Sequence, residues 1–408
     1  MADREPDLVA RIARAVGDLD AAQWDALAGT RDPFLSHAFL SLLETSGSVG
    51  GDSGWSPLPV LVDRNGRTVA AAPAYLKSHS QGEYVFDHGW ADAWTRAGGD
   101  YYPKLQVAVP FTPVPGRRLL GDDANAILAA LEAVTVQNGL SSAHITFLTE
   151  AEIAPAEARG WLRRDGIQFH WLNRAFASFD DFLGSLSSRK RKAIRKERAA
   201  ACQGLEIVAL RGAEIEPAHW DAMWNFYQDT GARKWGQPYL TKAFFDGAGA
   251  AMGDAALLFL ALDEGRPVAG ALNFIGQNPG SPQSTTLRGG GTLYGRYWGA
   301  IEERPFLHFE LSYYRAIDWA IEHRLACVQA GAQGEHKLAR GYQPVSPTRS
   351  ISSRTPASAA RLRPSSTANA TVLRSKSNGP RARCPTARNK LRPHAPPDRR
   401  PRDTCPAS

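Results

Sequence analysis

Short alternating apolar stretches and longer apolar stripes of helical spacing follow one another along the chain, and the same order occurs twice. Val9 to Val16 and Leu205 to Leu210 read as opening strands. Each leads into a helix around a tryptophan, Trp24 or Trp220, and then into a second helix that opens after Pro33 or Pro238. A hairpin comes next. It is clearest in the second half, where Leu257 to Leu262 and Pro267 to Ile275 flank an Asp-Glu-Gly-Arg turn with Gly265 to supply positive φ. Thr292 to Trp298 reads as a third strand. A longer helix is predicted over Leu307 to His323, with Leu311, Tyr314, Ile317 and Ile321 on one stripe. Its counterpart is Ala124 to Asn138, with Asp123 to cap it and Gly139 to stop it. Each long helix leads to a short strand, Ala143 to Leu148 or Ala326 to Ala330, and a short helix closes the unit. The first half then adds a last strand, Ile167 to Leu172.

The residues themselves repeat in the same order. Trp24-Asp25-Ala26 returns as Trp220-Asp221-Ala222, and Pro33-Phe34-Leu35 as Pro238-Tyr239-Leu240. The turn at Asn65-Gly66 returns at Glu264-Gly265, and Ala158-Arg159-Gly160-Trp161 returns as Ala339-Arg340-Gly341-Tyr342. A repeat of this length means two copies of one domain and not a solenoid of short units. The boundaries expected are 1–172 for copy one, 173–345 for copy two and 346–408 for a tail.

Composition separates the tail from the rest. After Val345 there is no Phe, Trp or Tyr, and the text turns to Arg, Pro, Ser, Ala and Thr. The formal net charge of +7 hides a tail of +12 on a body of −5, so the basic balance is no sign that the body binds nucleic acid. Such a segment buries too little apolar surface to offset its ordering entropy. Two readings fit it: a disordered basic tail, or the product of a frameshift in a GC-rich gene. Arg349 to Pro356, back-translated in GC-rich codons and read two bases later, gives a strand-and-turn pattern. On either reading the sheet of copy two is expected to lack its closing strand, and no packed structure is expected from Ser346 on. No apolar run approaches the ~20 residues of a membrane span, and no signal-peptide core opens the chain, so the expected location is cytoplasmic. Cys202 and Cys327 read as reduced, packed thiols, and no metal-ligand spacing is visible.

The element order resembles the GNAT N-acyltransferase fold, including the Gly-aromatic pair after the last helix. Two such units joined by a basic helix resemble the Fem-type transferases, and most closely the FemAB-like group linked to peptidoglycan biosynthesis or recognition. The blocks that carry this are Lys77 to Trp90, Tyr101 to Gln106, Ser187 to Glu197, Leu293 to Gly299 and Gly331 to Tyr342. The chain departs from the pattern at an insertion, Gln277 to Gly291, and at the loss of the C-terminal continuation near Ser346. The fold class implied is α/β, a mixed (α+β) sheet in each of two tandem GNAT-like domains.

Acyl transfer to an amine needs a deprotonated amine, a stabilised oxyanion and a held donor. Glu335, His336 and Lys337 follow the last strand of copy two, where this fold opens its cleft. Glu335 or His336 could act as base, and Lys337 could meet a phosphate or the oxyanion; the plain alternative is a helix start with solvated charges. Arg296 and Gly299 lie at the junction facing the donor, which lacks the Gly-rich pyrophosphate loop of acetyl-CoA enzymes. Arg189, Lys190, Arg191 and Lys192 open a basic helix over 187–198, suited to tRNA, pyrophosphate or an anionic membrane surface, or simply solvated. In copy one, Asp87, His88, Trp90, Tyr102 and Lys104 combine aromatics with charges, either to bind an acceptor or as a packed loop. The function expected is N-acyl or aminoacyl transfer to an amine of a cell-wall-related or other polar acceptor. Aminoacyl-tRNA or acyl-CoA would serve as co-substrate, with no permanently bound cofactor and no metal. The alternative is a non-catalytic module that recognises a cell-wall precursor.

Overall fold

The computed structural model describes residues 8–29, 32–85, 87–96, 98–234, 238–276, 290–331, 334–346, 348–351 and 363–364. All of them fall within one compact unit, Met1–Ser365. Most of the insertion (277–289) and most of the tail lie outside the described residues.

Copy one begins with β1 (Leu8–Ile12), α1 (Ala21–Ala28) and α2 (His37–Thr45). Asp20 caps α1 by accepting from the Gln23 amide, and buried Trp24 donates its indole N–H to the Leu35 carbonyl at 2.9 Å. β2 (Trp55–Pro57) and the hairpin β3 (Val60–Arg64), β4 (Arg67–Ala72) follow, the last running on into β5 (Ala74–Lys77). Asn65 and Gly66 both take positive φ, 53° and 80°, as the tight turn requires. After α3 (His88–Arg96) come β6 (Lys104–Val107), β7 (Leu120–Gly121), α4 (Ala124–Gln137), β8 (Ala143–Leu148), α5 (Glu150–Ala158), β9 (Leu162–Asp165) and β10 (Gln168–Leu172).

Two linking helices, α6 (Phe179–Gly184) and the basic α7 (Ser188–Ala201), lead to copy two. There β11 (Glu206–Arg211), α8 (Pro217–Lys234), α9 (Lys242–Met252), β12 (Ala256–Asp263), β13 (Arg266–Gly276) and β14 (Thr292–Ala300) repeat the order. The helix expected over Leu307 to His323 is broken into α10 (Leu307–Phe309), a π-helical turn (Glu310–Tyr314) and α11 (Arg315–Glu322). The periodicity of its apolar stripe could not show the break, which coincides with a buried carboxylate, Glu310, that accepts from Arg198. β15 (Cys327–Gln329), a 3₁₀ helix (Glu335–Arg340), β16 (Gln343–Val345), β17 (Thr348–Ile351) and β18 (Arg363–Pro364) complete the order.

The closing strands cross between the copies. β10, expected to finish copy one, lies in the sheet of copy two, antiparallel to both β15 and β16. That sheet runs β11-β12-β13-β14-β15-β10-β16, so it does not lack a closing strand as expected. Reciprocally, β17 from the start of the tail lies antiparallel to β8 and β9 in the sheet order β2-β5-β6-β8-β17-β9. The remaining strands of copy one, with β18 from the tail parallel to β1, form the order β18-β1-β3-β4-β7. The expectation of no packed structure from Ser346 is therefore corrected at 348–351 and 363–364. An alternating pattern marks a strand but not its partner, which is why the crossing was not legible.

The two copies also share one apolar core. Phe34 of copy one meets Phe274 and Tyr294 of copy two edge to face, at 5.5 and 5.2 Å between ring centres, and Phe39 meets Phe244 at 6.1 Å. The repeated helices α2 and α9 pack so closely that a Cβ on Gly247 would lie 2.5 Å from Leu42 Cδ1. Both repeated tryptophans, Trp24 and Trp220, are core residues.

The crossing predicts two unequal truncations. Ending the chain at Ser346 removes β17, which leaves β8 and β9 with unpaired edges, and the two-residue β18 beside β1. At a net ~1 kcal/mol per ladder hydrogen bond, melting should drop by several degrees. Ending it at Ser365 keeps the strand and should leave melting nearly unchanged. Equal melting temperatures for the two truncations would show that β17 does not hold copy one.

Candidate active site

In copy two, β13 and β14 slip register between Leu272 and Asn273. Leu272 pairs with Tyr297 and Asn273 with Gly295, so Arg296 stands in a bulge. β14 runs parallel to β15 only over Thr292 to Tyr294, opposite Cys327 to Gln329. Beyond that the strands part, and a cavity of about 110 Å³ opens between Asn273, Gly295, Arg296, Ser312 and Gly331. The buried Asn273 Oδ1 and Ser312 Oγ have no hydrogen-bond partner among the described residues. Trp298 and His308 also line a larger trough of about 470 Å³ that reaches Glu302, Glu303 and Arg304. In the stretch leading to the helix Arg304 pairs with Glu302 at 3.0 Å, and Phe306 at the helix entry makes no side-chain cap bond.

The 3₁₀ helix Glu335–Arg340, between glycines at positive φ, Gly334 at 111° and Gly341 at 85°, gives none of the cavity's lining residues but bonds to two of them, Gly331 and Tyr313. A Cβ on Gly334 would lie 2.4 Å from His336 Cε1. Lys337 is only 2 % exposed and donates to the Gly331 carbonyl at 3.1 Å. Burial pushes its ammonium down to about 8. His336 Nε2 lies 3.0 Å from the Tyr313 hydroxyl. Burial, then the neighbouring charges of Lys337 and Arg340, hold His336 below its ordinary value, so the ring is neutral near pH 7. Burial raises Tyr313 to about 12. The side chain of Glu335 lies outside the described residues.

Copy one treats the equivalent parting of strands differently. β6 runs parallel to β8 only over Leu105 to Val107, opposite Ala143 to Ile145. Phe147 then takes positive φ, 59°, at the position where Gly331 has 80°. The chain from Ala108 to Leu119 folds back into the gap. Gly116 donates its amide to the Phe147 carbonyl at 2.9 Å, and buried Arg118 donates to the Thr146 carbonyl at 3.0 Å. Val109, Phe111 and Val114 are buried there. The cleft of copy one is filled by its own chain. Arg296 reaches across from copy two and donates to the Phe111 carbonyl.

The five residues grouped in copy one do not form one surface. Lys104, fully buried, contacts Glu83 at 2.8 Å, Asp87 at 2.6 Å and Ser80 at 2.9 Å. Tyr102 joins through Ser80 at 2.8 Å, and Tyr101 donates to Asp87 at 2.8 Å. Burial favours protonation of Asp87, but Lys104 and the hydrogen bonds outweigh it and hold the carboxyl below its ordinary value. Glu83 goes the other way: burial outweighs the same ammonium and raises it to about 7. His88 and Trp90 instead sit on α3, whose residues are exposed or half-buried, with Trp90 53 % exposed. Sequence reasoning passed over Glu83, Tyr101 and the buried Lys77, which lies over the Trp55 ring.

Arg189, Lys190 and Lys192 are exposed on the first turns of α7, and Arg191 is half-buried and donates to the Gly184 carbonyl. Ser187 is the N-cap residue but makes no side-chain cap bond. Ile194 points into the core of copy two. Gly299 has a packing role, since a Cβ there would lie 2.0 Å from the Phe226 carbonyl oxygen of α8.

The described residues thus form two copies of one α/β unit in tandem, one with its strand gap open and one with it filled. The chain belongs to the FemAB-like family, described as peptidoglycan biosynthesis/recognition, whose sequence profile matches residues 15–356. Among solved structures it is similar to FemX, at 13% identity over 81% of this chain and 96% of that one, with a TM-score of 0.49. L-PGS from Bacillus licheniformis aligns at 12% identity over 78% and 91%, with a TM-score of 0.46. A tandem GNAT protein from the clavulanic acid biosynthesis pathway aligns at 14% over 86% and 100%, with a TM-score of 0.42. No curated protein matches the sequence.

The depressed Lys337 has a consequence for stability. Below about 8 the folded protein carries a buried ammonium, whereas the unfolded chain holds its proton up to the ordinary 10.5. The unfolded state therefore binds more protons between those values, and this residue makes stability rise with pH across that window. Lys337→Met should remove that part of the slope, on the order of 1–2 kcal/mol between pH 7.5 and 10.5. Denaturant unfolding of both proteins across this range checks it. Parallel pH profiles would mean that Lys337 titrates as a solvated lysine.

Proposed function

We propose that this chain transfers an acyl or aminoacyl group to an amine of a cell-wall-related acceptor, with the chemistry in copy two (173–345). Copy one (1–172) orients the acceptor. The observation that carries this reading is the contrast at the two strand gaps. Among the described residues copy two leaves its gap open, and there a buried amine, Lys337, and a neutral imidazole, His336, bond to two residues of the cavity wall, Gly331 and Tyr313.

In the reaction the acceptor nitrogen attacks the acyl carbonyl, a C–N bond forms, and the bond to the donor oxygen or sulfur breaks. His336, supported by the Tyr313 hydroxyl, receives the proton leaving the nitrogen. Lys337, largely protonated at pH 7, faces the charge that develops on the carbonyl oxygen or the leaving group. Glu335 is the other base in this segment. Arg296 and the exposed cations Arg189, Lys190 and Lys192 hold the donor's phosphates. The exposed cations of α7 favour aminoacyl-tRNA over acyl-CoA as the donor. Lys104 and Asp87 act as a buried frame under the acceptor side, with Tyr102, and His88 and Trp90 present their side chains outward from α3. Among the described residues no helix is long and apolar enough to cross a membrane. A cytoplasmic location fits both donor classes.

The test offers charged total tRNA, or a panel of acyl-CoA thioesters, together with amine-bearing cell-wall precursors, and follows new amides by mass spectrometry. Transfer is expected from one donor class. It should fall at least 100-fold in Lys337→Met. Reversing Arg189 and Lys192 to Glu should weaken tRNA binding about tenfold at low salt, and added salt should mimic the change. Binding of the precursor with no transfer from either donor class would favour the non-catalytic module.

A further inference from the structure

The repeated Ala-Arg-Gly-aromatic segment uses its arginine in both copies, but on different partners. In copy one, Arg159 holds Glu132 of the central helix α4 at 2.6 Å. In copy two, the equivalent Arg340 turns to Glu197 of the basic helix α7 at 2.9 Å. The same Glu197 oxygen accepts from Tyr314, at the end of the π-helical turn. Glu197 is the one acid in the run Ser188 to Arg198. It therefore joins three elements: the basic helix, the π turn that carries Tyr313, and the 3₁₀ helix that carries His336 and Lys337.

A second tie runs alongside. Lys190, one of the exposed cations of α7, donates to the Leu338 carbonyl of the 3₁₀ helix at 3.2 Å. Arg340 also donates to the His336 carbonyl at 2.9 Å and stacks on Phe309 at 3.5 Å. The 3₁₀ helix itself is a short element of weak hydrogen-bond geometry between two positive-φ glycines, so its setting depends on what grips it from outside. Next to it, Arg198 of α7 clasps the buried Glu310 through two hydrogen bonds of 3.0 and 2.9 Å, at the first residue of the π turn.

We propose that Glu197 is a positioning residue that couples occupation of the basic helix by a nucleic-acid polyanion to the setting of Lys337. The inference rests on the proposed function in placing a donor on α7. Phosphates that draw Lys190 from the Leu338 carbonyl change the grip on the 3₁₀ helix, and Glu197 through Arg340 keeps that helix moving with α7. A nucleic acid suits the helix better than a lipid surface does. An interfacial helix needs an apolar face in the lipid, whereas the apolar side of α7, at Ile194, is already in the core.

The reactivity of the Lys337 amine reports its setting without any knowledge of the substrates. The charged and titratable groups around it are His336 and Arg340 on its own helix, His170 on β10 and Tyr313 on the π turn. Competitive acetylation of the full chain, read by peptide mass spectrometry from pH 6 to 11, gives its midpoint. In wild type, bulk tRNA should move that midpoint by about half a unit or more, a threefold change in proton affinity. In Glu197→Ala the midpoint should rise toward that of a free lysine and no longer respond to tRNA. Glu197→Gln, which keeps an acceptor oxygen for Arg340 and Tyr314, should retain most of the response. If Glu197→Ala does not fold, Lys190→Met tests the second tie and should reduce the response. A midpoint in wild type that ignores tRNA overturns the coupling, as does a response to anionic phosphatidylglycerol vesicles and not to tRNA. Absence of acyl transfer with the tRNA response intact would count against the proposed function alone. Normal transfer with no response would count against the coupling alone.

Discussion

Where two parallel strands part inside a fold, the backbone groups they had shared must find other partners. That constraint arises twice in this chain, after Val107 and Ile145 in copy one and after Tyr294 and Gln329 in copy two. Copy one answers it with its own chain. The carbonyls of Thr146 and Phe147 take Arg118 and Gly116, and the returning segment buries Val109, Phe111 and Val114 in the gap. Copy two answers it with a side chain. The carbonyl of Gly331 takes the Lys337 ammonium, and the rest of the gap stays a cavity where Asn273 Oδ1 and Ser312 Oγ have no partner among the described residues. The same backbone requirement thus gives a filled half and an open half, and the proposed division of labour rests on that contrast.

The exchange of closing strands makes the two halves inseparable. β10 sits between β15 and β16, and β17 sits between β8 and β9. The shared aromatic core of Phe34, Phe39, Phe244 and Phe274 reinforces this. A large apolar interface of this kind leaves little freedom for hinge motion. Adjustment at the candidate site then falls to short elements bonded to its wall, such as the 3₁₀ helix between Gly334 and Gly341. It also gives the composition change near Ser346 a structural meaning, because the residues just beyond it complete the sheet of the other copy.

Much of this was written in the sequence at positions where backbone geometry restricts the residue. The turn glycines Gly66 and Gly265, and the pair Gly160 and Gly341, revealed the duplication because each takes positive φ at an equivalent place. The equivalence of Phe147 and Gly331 was invisible, since a phenylalanine gives no sign of a left-handed backbone. Strand partners were equally hidden, so β10 was placed in the wrong sheet. The stripe of Leu311, Tyr314, Ile317 and Ile321 marked a helix but not its π turn, which coincides with a buried ion pair contributed from 112 positions away. In the candidate site, His336 and Lys337 were read from their place after the last strand. Asp87, His88, Trp90, Tyr102 and Lys104 looked like one patch because they are near in sequence, whereas the structure buries three partly or wholly and turns two outward. Asn273 inside an otherwise apolar strand was a signal passed over, and Glu197 stood out as the one acid among cations without showing its partners Arg340 and Tyr314.

Hydrogen–deuterium exchange with and without the donor bears most directly on the claim that one copy alone holds an active cleft. With charged total tRNA in excess, or with an acyl-CoA if that is the donor class, slowed exchange is expected over 292–300 and 327–342. The peptides covering 104–119 and 143–149 should exchange at the same rate in both conditions, because their gap is already filled. Donor-dependent protection of that second set, with none at Gly295 to Trp298, would place the cleft in copy one and contradict the account.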